Sequence, residues 1–108
     1  MLVGHDAFAA GAQRLLLNIG RTLKQDFAVD IVFLLLRADQ DYDALIEEYR
    51  AIAPTVVVAA SIDAAVETLA AAGFVHAIVN SSASSAALAP LARAGIETIQ
   101  LVHELPGV

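Results

Sequence analysis

Residues 73–104 read GFVHAIVNSSASSAALAPLARAGIETIQLVHE, and this stretch decides the fold. Gly73 suits the left-handed C′ position that ends a helix. Residues 75–79 are a short apolar run, the mark of a buried strand. Residues 80–85 hold one amide and four hydroxyls, and the serines suit the cap of a following helix. That helix carries Leu88, Leu91 and Ala92. Pro90 belongs near its first turns, where a missing amide costs least. Gly95 ends it, and residues 97–102 form the next strand. Strand, helix and strand in succession make a right-handed crossover between parallel strands.

Upstream the same alternation recurs. Leu2 and Val3 open a first strand. Ala12, Leu15, Leu16, Ile19 and Leu23 repeat at helical spacing and predict an amphipathic first helix, ended by Asp26 and Phe27. Residues 29–36 form a second buried strand. Residues 39–41 form a turn with Asp41 as N-cap, and Tyr42, Leu45, Ile46 and Tyr49 stripe the next helix, which Pro54 closes. Residues 55–59 are a third strand, and Ser61 caps a third helix that turns Ile62, Ala65, Val66 and Leu69 inward. The order β-α-β-α-β-α-β-α-β predicts a three-layer, Rossmann-like α/β domain, its five-stranded parallel sheet in the order 3-2-1-4-5 with helices on both faces.

The composition agrees. The chain is 58% hydrophobic with few aromatics, as expected of buried parallel strands under alanine-rich helices. Its 108 residues make one domain. No apolar run approaches the ~18 residues of a membrane span, and no signal peptide is evident at the start. With no cysteine there is neither disulfide framework nor thiolate metal site. A cytoplasmic location is the expectation. A formal charge of −6 argues against nucleic acid as a partner. Arg14, Arg21 and Lys24 fall near one side of the first helix and read as a solvated face. The first strand has only Leu2 and Val3 before its loop, and little follows the last. The chain is therefore expected to be part of a larger protein, against the alternative of a small complete domain.

Three apolar runs break off into polar pairs: His5-Asp6, Asn80-Ser81 and His103-Glu104. In an open parallel sheet these pairs line one edge, where ligands bind. A histidine beside a carboxylate can act as a general base or hold a substrate hydroxyl. It can equally be an exposed side chain, and neighbours on an extended strand point to opposite sides. Asn80 and the serines can bind ligand hydroxyls or only cap a helix. In the first loop, Gly11 permits a close backbone approach near a helix N-terminus, but neither G-x-G-x-x-G nor a phosphate loop is present. His76 sits at the other end of its strand and reads as structural. No metal-binding or nucleophile-elbow spacing occurs. A receiver-type phosphoacceptor shares the element order but needs an aspartate after the third strand and a lysine after the fifth. Ala59-Ala60 follow the third strand, and no lysine follows the fifth.

Three segments in order, VGHDAFAAGAQRLLLNIGRTL, LIEEYRAIAPTVVV and GFVHAIVNSSASSAALAPLARAGIETIQLVHELPG, resemble the amino-terminal domain of family 4 glycosyltransferases of the two-Rossmann-domain (GT-B) class. The resemblance covers nearly the whole chain. It implies transfer of a sugar from a nucleotide-sugar donor to a glycan or lipid-linked acceptor, retaining by the family's habit, without metal or other cofactor. By this resemblance His103 matches the cleft histidine at the reaction centre, with Glu104 beside it. Asn80 and Ser81 lie on the acceptor side, and Gly11 and Ala12 lie near the donor phosphates. His5 and Asp6 flank that loop. The loop keeps one glycine where the family often has two, and the family's glycine between first helix and second strand is replaced near Asp26-Phe27. The donor site and paired-glutamate motif of the family belong to a second domain, so this chain alone is not expected to catalyse transfer. Lipid-linked acceptors leave room for peripheral membrane contact, and an isolated half of such an enzyme is expected to self-associate.

Overall fold

The computed structural model describes residues 1–4, 11–36, 46–80 and 82–101. Its strands are β1 (Leu2–Gly4), β2 (Phe33–Leu35), β3 (Thr55–Val57), β4 (His76–Asn80) and β5 (Glu97–Leu101), and its helices are α1 (Gly11–Phe27), α2 (Ile46–Ile52), α3 (Ile62–Ala71) and α4 (Leu88–Arg93). Among the described residues all strand pairs are parallel, and the sheet order is β3-β2-β1-β4-β5. This is the α/β architecture that the alternation predicts.

Side-chain alternation divides the core into two halves. On one face Leu2, Phe33 and Leu35 pack with Leu16 and Leu17 of α1 and Tyr49 of α2. The Phe33 and Tyr49 rings meet edge-on, with centroids 4.7 Å apart. On the other face Val3, Leu34, Ala77 and Val79 pack with Val66 and Leu69 of α3 and Leu91 of α4. Both faces of the central strands are thus covered, which explains their continuous apolar runs.

The second strand is shorter than residues 29–36. Its ladder begins at Phe33 because both neighbours begin there: Leu2 of β1 and Thr55 of β3 are each in register with Phe33. Val29 and Asp30 extend beyond either partner and are exposed. The stripe of α1 is also rotated from the expected one. Leu17 is buried while Leu15 is 39% exposed, because the helix seats Gly20 against the Phe33 ring. Residues 41–45, including the expected Asp41 cap, lie outside the described residues.

The helix ends follow local chemistry. Ser61 caps α3, its Oγ accepting from the Ala64 amide at 3.0 Å. Gly73 and Gly95 adopt φ +102° and +73° after α3 and α4. In each case the next residue's amide bonds five residues back, Phe74 to the Leu69 carbonyl and Ile96 to that of Leu91. After α1 the left-handed position is filled by Ala28, at φ +52°. Between β4 and α4 the polar stretch is not an open loop: Ser82–Ala87 form a 3-10 helix.

Candidate functional site

The sheet order reverses at β1. The chain winds from β1 to β2 and β3 on one side, then returns to β4 and β5 on the other. The carboxyl ends of β1 and β4 therefore flank the switch point, where open α/β sheets hold ligands. Val3 is in register with Val79, so Gly4 and Asn80 end their strands at the same level. Gly4 is buried, and a Cβ there would lie 2.7 Å from Leu16 Cδ2. The absent side chain lets α1 lie close on β1.

Asn80 is only 3% exposed and already engaged with a neighbour. Alternation along β4 puts it on the same face as Ile78, which packs in the α1 half of the core. In the 3-10 helix that follows, Ser84 is fully buried and its hydroxyl has no hydrogen-bond partner among the described residues. A buried hydroxyl without a partner is costly. Ser85 accepts a bond from Gln100 Nε2 at 3.0 Å, tying β5 to this turn. Asn80 and Ser84 fall on different faces of the sheet: Asn80 lies in the α1 half of the core, whereas Ser84 is in helical series with Ala87 and Leu91 of the α3–α4 half.

Of the residues expected to form the site, Asn80 falls at this edge, and Gly11 and Ala12 begin α1. No acidic residue occupies the first turn of α1, so the positive end of its dipole is not offset there. His5, Asp6, Ser81, His103 and Glu104 lie outside the described residues. Gln100 was not singled out in the sequence, and Ser84 only as one of the serines of residues 80–85. For Ser84 the signal was present: with Ala87 and Leu91 it forms an i, i+3, i+7 series, and all three are fully buried. His76 lies at the opposite, amino edge, 3.4 Å from Glu97, with both side chains exposed.

Two open cavities also lie at that amino edge, of about 230 and 480 Å³. They share Val29, Asp30, Ile31 and Phe74. Neither reaches the switch point. Among the described residues no three acidic or histidine side chains come together as a metal site, and no helix is long and apolar enough to cross a membrane. Compared with family models, curated proteins and solved structures, the chain matches none.

Proposed function

We propose that the chain is the acceptor-side, amino-terminal domain of a GT-B-class glycosyltransferase. The observation that carries this reading is the side-by-side carboxyl ends of β1, β4 and β5, with a polar pair at or within two residues of each strand's end in the sequence. The ordered resemblance of three segments supports it. In this reading Asn80 and Ser81 hold hydroxyls of the glycan acceptor. His103 contacts the transferred sugar, with Glu104 beside it. The amino end of α1, near Gly11 and Ala12, favours the donor phosphates, with His5 and Asp6 preceding it in the sequence. The nucleotide-sugar is held mainly by a second domain, so the chain by itself has no turnover, and neither metal nor organic cofactor takes part.

The test is a transfer assay on the full-length protein with a panel of nucleotide-sugars, His103→Ala alongside. Loss of a general acid or base lowers kcat by roughly a hundredfold or more. Unchanged turnover overturns the role of His103. Absence of transfer from every donor overturns the class.

A second reading is a stand-alone Rossmann-like binding or oligomerisation module, and the edge of β5, unpaired among the described residues, favours it. A native reading frame carrying about 150–250 further residues with a second βα domain separates the two in favour of the transferase.

A further inference from the structure

The two edges of the sheet are not alike. β3 is short, is preceded by Pro54, and has all its side chains half-buried. Such an edge is poorly suited to pairing. β5 is longer, contains no proline, lysine or bulge, and ends the sheet among the described residues. α4 covers one of its faces. On the other face Ile99 is 64% exposed beside Ile78, its register partner on β4.

The hydrogen-bond phase of this edge is set. The Glu97 amide donates to the Val75 carbonyl, and Glu97 is in register with His76. In a parallel ladder alternate residues bond the same neighbour, so Glu97, Ile99 and Leu101 direct their backbone groups toward β4. Thr98 and Gln100 direct theirs outward, to the edge that is unpaired among the described residues. An incoming strand must match that phase.

We propose that β5 pairs antiparallel with β5 of a second copy of this chain, about a two-fold axis through Ile99. The register satisfies every outward group. Thr98 exchanges both backbone bonds with Gln100 of the second copy, and Gln100 with its Thr98. Ile99 faces Ile99 of the second copy at the close, non-hydrogen-bonded position, where Cα atoms stand about 4.5 Å apart. Each exposed isoleucine thereby covers the other. Each Glu97 lies opposite a Leu101, so the two carboxylates do not face one another despite the chain's net charge of −6. The contact uses the same patch on both copies and closes at two, since the β3 edge cannot propagate it. This pairing does not depend on the transferase reading.

The chain has no cysteine, so single-cysteine variants report the register directly. Sedimentation of the chain is expected to show a monomer–dimer equilibrium. Ile99→Cys is expected to form a covalent dimer under mild oxidation. Glu97→Cys, also at an exposed position but opposite Leu101, is expected to cross-link far more slowly. Ile99→Lys, at an exposed position that leaves the fold intact, is expected to weaken the dimer by more than about tenfold, because it sets two cations against each other. A strictly monomeric chain, a dimer indifferent to Ile99→Lys, equal cross-linking at both positions, or growth beyond two copies each overturns the proposal.

Discussion

Gly20 of α1 lies against the ring of Phe33 on β2: a Cβ at position 20 would stand 2.4 Å from Phe33 Cζ and 2.8 Å from Cε1. Phe33 is fully buried and is also held by Tyr49. The ring cannot swing away freely, so the close approach of helix to sheet depends on the missing side chain. This contact also fixes which stripe of α1 faces inward.

Gly20→Ala should therefore destabilise the domain, although alanine favours helix by about 1 kcal/mol over glycine. Overpacking a filled core costs about 1–3 kcal/mol, and the steric term is expected to win. Urea unfolding measures the net. Phe33→Leu should recover part of the loss in a double-mutant cycle, because it removes the atoms that collide. Additive losses would show that the two sites do not interact.

Ala28 presents the opposite case. It occupies the left-handed region at φ +52°, where Gly73 and Gly95 serve the other helix ends. An L-residue pays roughly 1–2 kcal/mol there. Ala28→Gly should raise stability by about 0.5–1 kcal/mol after the entropy of the unfolded chain is counted. Gly73→Ala should lower it, even though nothing lies within 4 Å of the added Cβ. Thermal midpoints moving in opposite directions for the two substitutions are the expected outcome.

The amino terminus gives a pH dependence. The Met1 α-amino group donates to the His76 carbonyl at 2.6 Å, and burial holds its pKa below the ordinary 8.0. Between the folded value and 8.0 the unfolded chain binds more protons than the folded one. Stability should therefore rise with pH through that window, with the full penalty present below the folded value and none above 8.0. An N-acetylated chain keeps an N–H for His76 and loses the charge. Its denaturation midpoint, followed from about pH 6.5 to 9, should lack that rise, so the two curves converge on the alkaline side.

Much of the fold was legible because local signals and global pattern agree. The glycines at 73 and 95, the cap at Ser61 and the apolar runs each mark an element boundary found in the structure. The stripe of α1 was less legible. Leu15, Leu16, Leu17 and Ile19 offer two overlapping helical faces, and the choice between them rests on Gly20 meeting Phe33, a contact between distant residues. The ladder of β2 was too long in the sequence for a similar reason. Apolarity persists through Ile31 and Val32, but the partners begin at Phe33. Of the candidate site, the sheet edge and Asn80 were legible. The burial of Ser84 was carried only by its i, i+3, i+7 spacing with Ala87 and Leu91, inside a serine-rich run that otherwise reads as a loop.

Ser84 supplies the last prediction, since truncating it and truncating Asn80, both buried polar residues, should move stability in opposite directions. Its hydroxyl is buried and has no partner among the described residues. Ser84→Ala keeps the volume nearly filled and removes an unsatisfied polar group. It should leave the domain as stable as before or more stable, by up to about 1 kcal/mol. Asn80→Ala should instead lower stability by about 1–3 kcal/mol, because Asn80 is buried and engaged. A loss of stability in Ser84→Ala would mean that the hydroxyl is satisfied in solution.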